Sequence, residues 1–174
     1  MSKSTPEPWL RGGVPGVPSL LQPVAHTLVH AREDVAAAVE HLAPALVWQR
    51  IGGCASVGFH LMHLAGSTDR LLTYARGEAL SDAQRAALDQ ERRADDAGPP
   101  LHVLLQKWDD VVQDALRQLR TTPEASLTEE RLVGKARLPS TVLGLLFHAA
   151  EHAARHTGQI VTTAKVLRAS TPLV

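Results

Sequence analysis

The sequence has little of what most often announces a function. It holds one cysteine, Cys54, among 174 residues, so it forms no internal disulfide and no thiolate zinc cluster. Lys and Arg number 18 against 18 Asp and Glu, and that balance offers no electrostatic steering toward nucleic acid or an anionic membrane surface. No apolar run reaches the length of a membrane span. The first 18 residues carry Pro, Gly, Glu7 and Arg11 where a signal peptide needs an unbroken apolar core. No segment alternates as a strand would, and neither an internal repeat nor a low-complexity tract is present. What remains is one soluble, cytoplasmic domain of 18.7 kDa, long enough to bury roughly 70% of its unfolded surface.

The apolar residues that are present recur at helical spacing. Residues 1–18 form an extended arm rich in Pro and Gly, with Trp9 and Leu10 as its expected anchors on the body. Ser19 caps a first helix to about His41, in which Leu21, Val24, Leu28, Val35 and Val39 form the apolar row. Ser56 caps a second, from Phe59 to Arg76, which Gly77 ends. A charged, alanine-rich stretch from Ser81 to Asp96 holds a short solvated helix, and Gly98, Pro99 and Pro100 precede a third long helix over Leu101 to Leu119. Residues 121–139 read as a connection with one helical turn near Leu127 to Leu132, and Ser140 caps a last helix that reaches about Arg168. The fold is all-α, an antiparallel four-helix bundle over residues 19–168, with a C-terminal tail at 169–174.

Histidine is the conspicuous residue: nine in all, five of them in two short segments. His148, His152 and His156 are four residues apart, so each ring advances only about 40° around the helix and the three line one face. Two neighbours on that row can reach one ion. Helix two supplies the candidates for the third ligand: His63 shares a stripe with Phe59, Ser67, Arg70 and Tyr74, and His60 sits on the adjoining edge. One histidine facing a His-x3-His pair makes a three-histidine site with open positions, the catalytic arrangement for a divalent ion. A lone histidine on such a face is ordinarily a hydrogen-bonded core group, and a satisfied polar core is the competing reading.

The segment Phe59-His60-Leu61-Met62-His63-Leu64-Ala65-Gly66, followed by Asp69-Arg70-Leu71-Leu72, together with His152-Ala-Ala-Arg-His156-Thr-Gly158-Gln159-Ile160, resembles the DinB family of bacterial proteins. The resemblance spans about Ser19 to Arg168. It implies His63, His152 and His156 as the metal ligands, since the Gly-Gln tail selects that pair on the last helix. It also implies an up-down-down-up bundle, a bound zinc, nickel or similar divalent ion, and a homodimer. Several members are metal-dependent transferases or isomerases that use a low-molecular-weight thiol such as bacillithiol, mycothiol or glutathione.

Other residues sort by position. Gln159 lies on the ligand stripe and can fix a ring tautomer or a water. His60 and His148, one turn from a ligand, are candidate hydrogen-bond donors or pocket-lining groups. Arg70 is the candidate to hold an anionic substrate, against a reading as a snorkelling arginine at the bundle end, and Tyr74 is a further pocket candidate. Glu151 pairs with Arg155 rather than serving as a base. Three functions compete: a transferase that activates a small thiol, a hydrolase that activates water, and a non-catalytic metal-binding module. The expected partner is a small-molecule substrate, without nucleic acid or membrane.

Overall fold

Four stretches of the chain carry a buried apolar row at helical spacing, and these become the long helices. The structure, a computed structural model, describes residues 5–93 and 97–170. Its helices are α1 Gln22–Val39, α2 Val57–Ala75, α3 Asp82–Arg93, α4 Leu101–Thr121 and α5 Val142–Ser170, with two strands, β1 Glu130–Val133 and β2 Leu138–Thr141. In α1 the buried row is Val24, Leu28, Ala31, Val35 and Val39. In α4 it is Leu104, Trp108, Val111, Val112, Ala115, Leu116 and Leu119. These rows close on those of α2 and α5 as one core, in which Leu28, Val35, Leu61, Leu64, Val112 and Ile160 are fully buried.

Helices α1 and α2 each pack against both α4 and α5, so α1 and α2 are diagonal. Side-chain contacts give the directions. His60 meets His156 and Ser67 meets His152, so α2 and α5 run antiparallel. Leu20, at the start of α1, bonds Glu124 beyond the end of α4, while Arg32 reaches Asp109, so that pair is antiparallel also. Trp48, before α2, bonds Pro99, before α4, and Gln118 near the end of α4 bonds Leu72 near the end of α2. Those two helices are parallel, and the order is up-down-down-up.

Ser56 caps α2 as the sequence indicates, its Oγ accepting from the Phe59 amide at 3.1 Å, and Gly77, at φ +79°, follows its end in a left-handed conformation. Other boundaries differ. Ser19 does not cap α1 directly but opens a 3-10 turn, Ser19–Leu21, that leads into it. The cap of α5 is Thr141 rather than Ser140: its Oγ1 accepts from the Gly144 amide at 3.0 Å. The helical turn expected at Leu127 to Leu132 lies earlier, at Glu124–Ser126, and residues 130–141 are an antiparallel hairpin pairing Arg131 with Ser140 and Leu132 with Pro139. Strands of four residues are too brief to show a period in sequence. Here the Gly134 turn and the packing of Val133 on the core hold them.

The arm is held differently from the expectation. Trp9 and Leu10 are 59% and 58% exposed, and the buried residues are Pro8 and Val17. Polar contacts do most of the tethering. Gln22 bonds Val14 through its backbone N–H and carbonyl, Arg120 donates to the Pro15 carbonyl, and Arg11 makes a two-pronged contact with Glu33 at 2.7 and 2.8 Å. Residues 1–4 of the arm, residues 94–96 after α3, and residues 171–174 of the expected tail lie outside the described residues; α5 itself continues through Ala169 and Ser170. Among the described residues no helix is long and apolar enough to cross a membrane.

Trp48 locks the loop between α1 and α2. A Cβ on Gly58 would stand 2.6 Å from its indole and one on Gly98 only 2.4 Å, so the ring is gripped between two glycine backbones. Gly58→Ala is expected to lower stability by about 1–3 kcal/mol, seen as a fall in Tm with helical content retained. A second outcome concerns the arm. Glu33 titrates below its ordinary value because of the hydrogen bond from Arg11. A carboxyl lowered in the fold contributes its stabilisation above the unfolded value and loses it as pH falls through the folded one. Amide protection at Val14 should therefore drop in acid below the ordinary carboxyl value of 4.5, and Arg11→Ala should abolish that acid dependence.

Candidate metal centre

The centre is built where α2 crosses α5 in antiparallel register. The stripe His63, Ser67, Arg70 of α2 faces the row His152, His156 of α5, because these rows flank the apolar contacts that set how the helices meet. One ring nitrogen from each of His63, His152 and His156 lies within 4.8 Å of the others. The rings lie 4.5 to 5.1 Å apart, centroid to centroid.

The Nδ1 side of each ring is engaged. Glu91 on α3 accepts from His63 Nδ1 at 2.5 Å. The Ser67 hydroxyl donates to the Leu64 carbonyl and accepts from His152 Nδ1 at 3.3 Å. His156 Nδ1 lies 3.1 Å from Nδ1 of the buried His60. With their Nδ1 protons so placed, His63 and His152 turn bare Nε2 lone pairs toward each other at 3.4 Å. Two facing acceptors repel unless a cation lies between or beside them. This donor set, three imidazoles each oriented from behind, fits a divalent ion.

Burial keeps His152 and His156 neutral. His156 is lowered from 6.5 to about 3 and His152 to about 4, first by burial and then by the neighbouring His63. His60 is lowered by burial and by His63. Coordination needs neutral imidazole, so the cluster is ready for a cation at neutral pH.

Glu91 is the residue of this candidate centre that the sequence did not disclose. Helix α3 was expected to be solvated, yet Glu91 is only 5% exposed. Its carboxylate receives His63 on one side and Arg70 Nη1 at 3.1 Å and Nη2 at 3.4 Å on the other. Burial alone would raise its pKa, and the hydrogen bonds from His63 and Arg70 outweigh that and lower it. Nothing in sequence separates this glutamate from its charged neighbours Asp89, Arg92 and Arg93. Arg70, the candidate to hold an anionic substrate, pairs here with this carboxylate. His60 stands behind His156. His148 is half exposed, its ring edge-on to that of His152 with centroids 5.5 Å apart; it bonds Glu151 at 2.6 Å, and Glu151 also takes Arg155 at 2.9 Å. Gln159 is exposed, and no hydrogen bond among the described residues joins it to the cluster. Tyr74 lies in a separate cavity further along α2.

Residues 27–160 match the DinB superfamily. The chain belongs to that superfamily. Among solved structures, a conserved protein from Enterococcus faecalis is similar at 16% identity, with a TM-score of 0.71 over 87% of this chain and 98% of that one. A Streptococcus pneumoniae protein is similar at 12% identity, with a TM-score of 0.61 over 86% and 90% of the two chains. Both likenesses are of fold. No protein with a curated description matches the sequence. As a DinB-superfamily bundle with three clustered histidines, the chain is compatible with divalent-metal binding.

Glu91→Gln tests the carboxylate behind His63. Zinc affinity in calorimetric titration is expected to fall about 10- to 100-fold with the circular dichroism spectrum unchanged.

Proposed function

We propose that this chain is a metal-dependent transferase whose divalent ion, zinc or nickel, is held by His63, His152 and His156 and takes a low-molecular-weight thiol into its open positions. The observation that supports it is the set of three rings whose Nδ1 positions are each occupied, so that the other nitrogens are left for a shared ion. Such an ion lowers the pKa of a thiol bound to it and so supplies a nucleophile at neutral pH. The chain's own part is positional. Glu91 and Ser67 fix the tautomers of His63 and His152, His60 orients His156, and Phe59 stacks on His63 at 5.8 Å with the rings 3° from parallel, limiting its rotation.

The hydrolase reading asks for a carboxylate free to serve as base. Glu91 is taken by His63 and Arg70, and Glu151 by His148 and Arg155, so the thiol reading is favoured. The substrate is a small electrophile, and the cluster being made by a single chain, a homodimer in this reading serves packing rather than completion of the ligand set.

The test uses the intact protein loaded with zinc or nickel and titrated with glutathione, bacillithiol and mycothiol. One thiol is expected to bind only to the metal-loaded protein, and binding should disappear on chelation and in His63→Ala, which should also lose stoichiometric metal. Thiol binding that survives chelation would overturn the transferase reading. A fall in Tm on chelation with no thiol bound would leave a non-catalytic ion joining α2 to α5.

A further inference from the structure

A sizeable cavity lies away from the histidines. It has a volume of about 950 Å³, is open to solvent on one side, and is bounded by the end of α2, α3 and the hairpin β1–β2. Along α2, Tyr74 of its wall is eleven residues beyond His63, or about 16 Å at helical rise. The Arg70–Glu91 pair stands between the two places. Tyr74, Leu80, Leu88 and Leu132 give the cavity an apolar side. Its charged lining is five cations against three carboxylates.

The cations are not equivalent. Arg131 is spent on the Ala75 carbonyl and Glu129, Arg85 on Asp82, and Arg92 on Asp89. Lys135 and Arg137, on the hairpin turn, have no ion-pair or hydrogen-bonded side-chain partner among the described residues. Arg137 also occupies left-handed backbone, φ +50°, and is the only residue other than glycine to do so among those described. A glycine would sit there without strain, so an arginine at the mouth of a cavity is a backbone cost whose return is sought in what its guanidinium binds. A pocket of this volume, apolar on one side and with a few convergent charges on the other, has the make-up of a small-molecule site.

We infer that this cavity is a second binding site, independent of the metal centre, for an organic anion with an apolar body, such as an aromatic carboxylate or sulfonate. The apolar wall of Tyr74, Leu88 and Leu132 takes the body. Lys135 and Arg137 take the anionic group, Arg137 through the paired N–H groups that suit a carboxylate.

The probe is anilinonaphthalene sulfonate, an aromatic anion whose fluorescence rises in apolar surroundings, titrated into the intact protein. One-to-one binding is expected, displaced by naphthoate and not by inorganic phosphate at equal concentration. The deciding variant is Arg137→Gly. It relieves the backbone, so Tm should stay or rise, while dye affinity falls at least tenfold; Lys135→Ala should weaken binding in the same direction. A merely structural Arg137 would lower Tm and binding together, and unchanged affinity in Arg137→Gly would overturn the assignment. Displacement by phosphate as effective as by naphthoate would overturn the apolar part of it. His63→Ala should leave the dye bound. Loss of dye in that variant would show that the cavity has no independent existence, whereas loss of dye in Arg137→Gly with metal content intact is the signature of two separate sites.

Discussion

A buried carboxylate that must never be left unpaired organises this molecule's working end. Glu91 is nearly excluded from solvent, and an isolated charge in that position would cost several kcal/mol. It survives because Arg70 supplies a cation and His63 a hydrogen-bond donor, both from one stripe of α2. The consequence reaches beyond the pair. An added Cβ at Gly66, on the same stretch of α2, would come within 2.8 Å of both the Arg70 guanidinium and the Glu91 carboxylate, so the backbone of α2 gives way at the point where the carboxylate crosses it. Helix α3, otherwise polar, is drawn onto the bundle by this interaction, and His63 is held in the one tautomer that presents Nε2 to α5.

Much of the architecture was legible because the four long helices carry their own evidence. The apolar rows of α1 and α4 have the helical period along nearly their whole length, and Ser56, Gly77 and the Pro99-Pro100 pair mark ends that the structure keeps. The errors fall where long-range contacts outrank local signals. Ser140 looked like the cap of α5 because it follows a proline, but pairing with Arg131 draws it into a strand and passes the cap to Thr141. Trp9 and Leu10 looked like anchors because they are large and apolar. Instead the arm is tied through Gln22, Arg120 and Glu33, whose reach into it over 5 to 105 residues no periodicity records.

The site divides in the same way. His63, His152 and His156 share helical stripes, and a stripe is a local property of sequence, so their convergence required only that α2 and α5 lie side by side. The resemblance to the DinB family supplied that adjacency. Arg70 also lay on the stripe, but its partner depended on α3, which contributes from outside the four-helix count. A single glutamate in a run of charged residues becomes buried only because of where the run is laid down. Gln159, on the helical face of His152, is nonetheless exposed.

The protonation state of the cluster follows from this packing and not from any one residue. In water, imidazoles near 6.5 would be partly charged just below neutrality, and several of them together would repel one another. Here burial is the main cause that lowers His60, His152 and His156, and the neighbouring His63 lowers them further. Both effects penalise the imidazolium form, so this close, half-buried group of histidines resists protons and keeps ring nitrogens available as lone-pair donors. Hydrogen bonds to Glu91 and Ser67, and the contact with His60, then decide which nitrogen of each ring is left as a lone pair. The availability of those ring nitrogens thus arises from the spacing of the rings and the polar groups behind them, and both are set by the crossing of two helices and the carboxylate that α3 brings to it.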